Sequence, residues 1–154
     1  MNLTYRQIRI SDLPAVFDLR LSTIENAITM EELERDYGIT PKSLAEAMQS
    51  TVKDWLCEVQ GSVVGIAMGD RANGEVLVVA VRPGYEGSGI GKHLLSEVST
   101  WLFSEGHSKI WLYSNPDKSL RAYGFYRKLG WQFKGEMVDG EEVLVLENAE
   151  RTSV

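Results

Sequence analysis

The sequence predicts a mixed α/β fold, a central mixed sheet with helices on both sides. Three observations carry this. Val76 to Val81 is an unbroken apolar, mostly β-branched run, the pattern of a strand buried on both faces. It passes through a glycine-rich turn into a helical pattern that starts at Ile90. Two further strand-like runs, Trp55 to Val59 and Val63 to Met68, precede it across tight turns, with helical periodicities before and after. A sheet interleaved with amphipathic helices buries its faces beneath them.

Taken in order, Leu3 to Ile10 alternates imperfectly and predicts a first strand. Ser11 is the expected N-cap of a helix with Asp12 and Pro14 in its first turn, and Leu13, Val16, Phe17, Leu21 and Ile24 give it an apolar stripe to about Ala27. Thr29 with Glu32 is a capping-box pair that opens a short helix ended by Gly38. Thr40-Pro41 starts another, which carries Leu44, Ala47, Met48 and Val52. Gln60-Gly61-Ser62 joins the next two strands as a hairpin, and Asp70 to Gly74 leads into the strand that Glu75 opens. The helix from Ile90 runs to about Glu105-Gly106, and Lys109 to Ser114 forms a fifth strand. Ser119 to Leu129 is a helix closed by Gly130. Trp131 to Val138 and Glu141 to Glu147 are strands around Asp139-Gly140, a type I′ hairpin signal.

The 154 residues suffice for one domain, expected over 1–148, with 149–154 as a C-terminal tail. An apolar share of 44% and a charged share of 25% match a soluble globular chain. The net charge of −6 speaks against a nucleic-acid surface. A lone cysteine, Cys57, cannot form an internal disulfide; it reads as a small buried hydrophobe in a reducing compartment. No apolar run reaches the roughly 18 residues of a membrane span, and the N-terminus lacks the apolar core of a signal peptide. The expected location is the cytoplasm.

The turn from Arg82 to Gly91 carries the chemistry. Gly84, Gly87, Gly89 and Gly91 let the backbone approach a bulky anion, and the first amides of the following helix point outward with no intrahelical partner. Together with the helix dipole this makes a phosphate or pyrophosphate site. Two common phosphate loops fail. A Walker loop would need glycine at Glu86 and Ser or Thr at His93. A dinucleotide fingerprint would need glycine at Lys92 or Leu94.

A third pattern fits. Arg82-Pro83-Gly84-Tyr85-Glu86-Gly87-Ser88-Gly89-Ile90-Gly91 resembles the acyl-CoA pyrophosphate loop of the GNAT superfamily of N-acetyltransferases, with the core Gln/Arg-x-x-Gly-x-Gly/Ala. It departs at the first core position, Glu86. A second stretch, Ser119 to Trp131, resembles that family's Asn-x-x-Ala-x-x-x-Tyr-x-x-x-Gly-Phe signature at Ala122, Tyr126, Gly130 and Trp131, with Ser119 at the usual Asn. The element order matches the family over essentially the whole chain. The resemblance therefore implies a sheet of about seven mostly antiparallel strands.

It also implies site residues. Glu86, Gly87, Ser88, Gly89, Ile90, Gly91 and Lys92 would bind the coenzyme A pyrophosphate, with Ser119 and Tyr123 flanking the coenzyme. Backbone amides of Val79, Ala80 and Val81, freed by a bulge, would hold the acetyl carbonyl and the pantetheine arm. Tyr126 would be the general acid for the departing thiolate, whose pKa lies at about 8.5; read from its stripe alone it is a core residue at the edge of the stripe formed by Ala122, Phe125 and Leu129. Glu75, six positions before Val81, would be the general base toward the amine, or else a surface carboxylate opening a strand. Asp70, Glu58 and Glu25 are lesser candidates. Arg127 reads as a partner for a coenzyme phosphate or as a solvated helix charge. No metal-ligand spacing exists. The implied activity is transfer of an acetyl group from acetyl-CoA to a primary amine on a small molecule or peptide, by direct attack in a ternary complex. The alternative is a non-catalytic acyl-CoA sensor on the same fold. Neither nucleic acid nor membrane is an expected partner, and the aromatic C-terminal strands offer an edge for a homodimer.

Overall fold

A computed structural model describes residues 2–23 and 28–148. Its strands are β1 (Leu3–Gln7), β2 (Val52–Val59), β3 (Ser62–Asp70), β4 (Glu75–Val81), β5 (Lys109–Ser114), β6 (Gln132–Val138) and β7 (Glu141–Glu147). Its α-helices are α1 (Leu13–Leu21), α2 (Met30–Tyr37), α3 (Pro41–Met48), α4 (Ile90–Ser104) and α5 (Arg121–Lys128). They build one seven-stranded sheet in the order β1-β2-β3-β4-β5-β7-β6. Every neighbouring pair is antiparallel except β4 with β5. Among the described residues no helix is long and apolar enough to cross a membrane.

The local signals account for most element ends. Thr29 and Glu32 form the reciprocal box: Glu32 N donates to Thr29 Oγ1 at 3.1 Å and Thr29 N to Glu32 Oε1 at 3.3 Å. Asp139 (φ 49°) and Gly140 (φ 82°) make the expected left-handed pair between β6 and β7. Three expectations near the N-terminus need correction. β1 stops at Gln7, because residues 10–12 turn as a 3-10 helix and leave Ile10 exposed. Ser11 lies inside that turn, and Asp12 precedes α1, held by Arg6 at 2.7 Å and by Arg9 N at 2.7 Å. Val52 opens β2 instead of closing α3, since Gln49 already ends the helix. The expected extension of α1 over 24–27, the candidate Glu25 and the tail 149–154 lie outside the described residues.

Two apolar layers sandwich the sheet. α4 lies on one face over Trp55, Cys57, Ala67, Val76, Ile110 and Leu112. α1 and α3 cover the other over Leu56, Ile66, Met68 and Ala80. The α4 face of β3 is a trough of small residues, Gly65, Ala67 and Gly69. A Cβ on Gly65 would lie 2.7 Å from Ile90 Cγ2, and one on Gly69 would lie 2.7 Å from Val98 Cγ1. β4 meets this trough through a bulge. Met68 pairs with Val78 and Gly69 with Val76, so Leu77 is the extra residue. The bulge turns Val76, Val79 and Val81 toward α4, and Val78 and Ala80 toward α1 and α3. The strand is thus buried on both faces, as its unbroken apolar run requires.

One buried carboxyl works against this core. Asp54 in β2 is 3% exposed, and its Oδ2 has no hydrogen-bond partner among the described residues. Burial, with a smaller push from Asp12, raises its pKa to about 7. The folded chain therefore holds a proton that the unfolded chain releases near its ordinary value of 3.8. Stability contributed by Asp54 is intact below about pH 4, falls as pH rises through 7, and is level above that. The total is of the order of 4 kcal/mol, at about 1.4 kcal/mol per pKa unit. Asp54→Asn is expected to flatten this fall; thermal midpoints from pH 4.5 to 8 for both proteins measure it. An unchanged slope would place the titration elsewhere.

Candidate active site

The site forms where β4 and β5 part. The two parallel strands share one registered pair, Glu75 with Trp111, closed by Trp111 N donating to Gly74 O at 3.1 Å. Beyond it they diverge, and a cleft of about 710 Å3 opens between them. Val78 to Val81 line one wall and Tyr113 to Asn115 the other. α5 lines it further, through Ala122, Gly124, Phe125 and Tyr126 among others. A parallel junction at the carboxyl ends of two strands is where open α/β sheets place ligands.

The glycine loop forms one end of this cleft. Gly84, Gly87 and Gly89 adopt φ of 93°, 80° and 86°, which side-chain-bearing residues rarely take. Tyr85 N donates to Arg82 O at 3.0 Å, and Ser88 Oγ to Tyr85 O at 2.6 Å. Arg82 anchors the loop through Nε to Val63 O at 3.1 Å and through Nη2 to Asp18 at 3.3 Å. Gly89 precedes α4 without a side-chain cap, so the first-turn amides at Ile90, Gly91 and Lys92 depend on a ligand or water. Gly91 brings α4 against α5: its Cβ would meet Phe125 Cζ at 3.4 Å. Glu86 is turned back into the loop. Gly84 N donates to its Oε1 at 3.2 Å, and Arg121 Nε stands 4.0 Å from its Oε2. Lys92, Arg121 and Lys128 bring three cations to the cleft, with Arg121 beside the loop.

Tyr126 lies in the cleft wall, its ring edge-on to Phe125 and Trp131 at 5.1 and 6.0 Å. Burial pushes its phenol up to about 12. The hydroxyl therefore stays a proton donor at every physiological pH. Glu75 stands at the closed end of the strand junction and is not a lining residue. Burial raises its carboxyl pKa; Asp70 adds to this, and a hydrogen bond from Asn73 Nδ2 opposes it.

The cleft gathers Val79, Ala80, Val81, Glu86, Gly87, Gly89, Gly91, Lys92 and Tyr126 of the sequence-derived set. Ile90 is buried beneath the loop. Ser88, Ser119 and Tyr123 are not lining residues. Ser119 Oγ donates to Asp117 at 2.7 Å, outside α5. Tyr123 carries the Arg127 guanidinium 3.6 Å above its ring, and Arg127 Nη2 bonds the buried Glu142 at 2.8 Å. Arg127 is thus a tie between α5 and β7. The strand bulge falls at Leu77, ahead of Val79 to Val81, and it is the divergence from β5 that leaves their edge open.

The model of the Acetyltransferase (GNAT) family matches residues 14–131. The chain belongs to this family. An acetyltransferase of Yersinia pestis is 28% identical over 92 residues, covering 58% of this chain and 64% of that protein. An uncharacterized N-acetyltransferase of Mycobacterium tuberculosis is 35% identical over 78 residues, covering 49% of each. The GNAT chain thus spans about two thirds of the first relative and half of the second. Among solved structures, a PaiA N-acetyltransferase from Thermoplasma acidophilum in complex with coenzyme A superposes with a TM-score of 0.81 at 18% identity, covering 96% of this chain and all of that one. The ribosomal-protein-S18-alanine N-acetyltransferase of Escherichia coli gives 0.68 at 19%, covering 94% and 91%. These likenesses establish a GNAT fold. Sequence reasoning missed the β5 end of the cleft (Tyr113, Ser114, Asn115) and Arg20, Thr23 and Glu141. The parallel β4–β5 junction was the signal that would have found the first three.

Proposed function

We propose that this GNAT protein transfers an acetyl group from acetyl-CoA to a primary amine within a ternary complex. The observation that carries this is the uncapped start of α4, entered through left-handed glycines and opening into the same cleft as Tyr126. The chain's groups fit the coenzyme: outward amides and Lys92, Arg121 and Lys128 suit its phosphates. The open edge of β4 suits an amide-bearing arm, as peptide-like ligands add to free strand edges. The coenzyme A in the PaiA structure supports the same ligand here. Glu86, engaged by Gly84 N and near Arg121, leaves the amides of α4 free to meet a pyrophosphate.

The chemistry balances as follows. The neutral amine forms a bond to the thioester carbonyl carbon, and the carbon–sulfur bond breaks. The nitrogen gives up one proton, and the thiolate receives one. Tyr126 directs its hydroxyl proton, still in place at neutral pH, to the sulfur as the carbon–sulfur bond breaks. Backbone amides of Val79 to Val81 stabilise the carbonyl oxygen as charge develops. Glu75 acts as base through intervening water, its half-buried carboxyl raised toward the operating pH.

The test is a thermal midpoint with acetyl-CoA, with ATP and NAD as controls. Saturation at 100 times Kd stabilises by about 2.7 kcal/mol, or roughly 5–10 °C for this chain length. A shift with acetyl-CoA alone, followed by free thiol release when amines are added, is the expected outcome. A shift without turnover on any amine would favour the sensor alternative, and no shift would sink both.

A further inference from the structure

Two buried side-chain polar atoms have no hydrogen-bond partner among the described residues, Asp54 Oδ2 and Ser114 Oγ. Such atoms are rare in folded chains, and each calls for a cause. Asp54 is not a lining residue of the cleft, and a carboxyl lowers its burial cost by taking up a proton. Ser114 has no such route, because a serine hydroxyl does not titrate near neutral pH. It is 5% exposed and lies in the cleft wall beside Tyr113 and Asn115. An unsatisfied hydroxyl in a cleft wall is completed by what enters the cleft.

On its face of the sheet, Ser114 follows Ile110 and Leu112, both buried in the core against which Tyr126 packs. Glu142 stands opposite it in register, but that carboxylate accepts from Arg127 Nη2 at 2.8 Å. Across the gap stands Val79. Ser114 is three residues beyond Trp111 on β5, and Val79 is three beyond Glu75 on β4 once the extra residue Leu77 is discounted. Val79 also faces α4, so the two flank the gap on one side of the sheet. A chain lying there has the open edge of β4 on one flank and the Ser114 hydroxyl on the other.

The arm that joins the thioester to the nucleotide of coenzyme A is such a chain, with amides spaced by methylenes. In a trans amide the N–H and the C=O point to opposite sides. An N–H that meets a β4 carbonyl therefore sends its own C=O toward β5. We infer that Ser114 is a binding residue for this arm, its hydroxyl donating to the carbonyl oxygen of the amide nearest the sulfur. This rests on the acetyl-transfer reading and adds to it a second line of bonds, from β5. The same hydroxyl weakens the empty protein slightly: it loses water on folding and gains a partner only when the coenzyme binds.

Ser114→Ala separates this role from that of a merely structural hydroxyl. The variant is expected to match or exceed the parent's ligand-free thermal midpoint, because it removes a polar atom that folding leaves without a partner. In calorimetric titration its Kd for acetyl-CoA is expected to rise about 3–10-fold, the loss of one neutral hydrogen bond. That ratio to the parent is expected to hold from about 20 to 500 mM salt, since screening acts on the phosphate contacts and leaves a neutral bond untouched. An equal Kd would mean that water completes the hydroxyl, and would overturn the inference. So would a ligand-free midpoint lower by more than about 2 °C, which would reveal a partner within the protein. A ratio that shrinks with salt would place the loss at the phosphates and overturn it as well. A parent that binds no acetyl-CoA overturns the acetyl-transfer reading and this inference with it; a parent and a Ser114→Ala variant that bind it equally tightly overturn this inference alone.

Discussion

Tyr126→Phe is expected to lower kcat for acetyl transfer by about 100-fold or more, while leaving the acetyl-CoA thermal shift within about 1 °C of the parent. General acid catalysis by a positioned side chain contributes about 10²–10⁴-fold, and the phenylalanine ring keeps the edge-on contacts with Phe125 and Trp131. The pH dependence separates chemistry from packing. Because burial holds the phenol pKa at about 12, the proton is present below that pH and lost only above it. The deficit should therefore stay constant from pH 7 to 10, and the parent should show no alkaline limb from Tyr126 in that range. Glu75→Gln supplies the complementary arm. Its carboxyl pKa is raised by burial, so the base is available above that pKa, and an acid limb in kcat/KM should disappear with the variant. Unchanged kcat in Tyr126→Phe would remove the tyrosine from the reaction.

Gly65→Ala is expected to destabilise the protein by about 1–3 kcal/mol, and Gly65→Val by more. Elsewhere in a strand interior, replacing glycine stabilises by roughly 0.5–1 kcal/mol, because glycine loses more chain entropy on folding. Here the sign reverses. The added Cβ would stand 2.7 Å from Ile90 Cγ2 and 2.9 Å from Leu94 Cδ1, both on fully buried side chains of α4. Leu94 can turn its methyl aside, but the Ile90 branch sits close to the backbone of the first α4 turn. The relief is a shift of α4 away from β3, which also moves the loop amides. The substitution should therefore lower the thermal midpoint by about 2–4 °C for each kcal/mol lost and weaken acetyl-CoA binding as well. Gly124→Ala is the control: it lies in mid-helix with nothing within 4 Å of the added Cβ. A stable Gly65→Ala protein with normal acetyl-CoA binding would show that α4 is not held by that contact.

How much of this was legible in the chain depends on the range of the interaction. The capping box at Thr29 and Glu32, the left-handed Asp139-Gly140 pair, the uncapped Gly89 and the buried β4 run all answer to neighbours a few residues away. The family signature at Ala122, Tyr126, Gly130 and Trp131 added the layout of the whole sheet. Each of these follows from backbone dihedrals, hydrogen-bonding capacity or hydrophobic period, which a residue carries wherever it stands.

What tertiary structure alone decided concerns pairs distant in the chain. Leu77 looks like any residue of an apolar strand; only its pairing with β3 makes it a bulge and sorts Val76, Val79 and Val81 from Val78 and Ala80. Arg127 reads in sequence as a coenzyme-phosphate partner or a solvated helix charge; in the fold its partner is Glu142, 2.8 Å away. Gly65 and Gly69 carry no turn signal, because their reason is the close passage of α4. The sequence by itself determined the elements, the glycine-rich turn and the family. The shape and charge of the cleft that would choose an acceptor came only with the packing, since electrostatics and steric fit act through space and leave no local pattern in the chain.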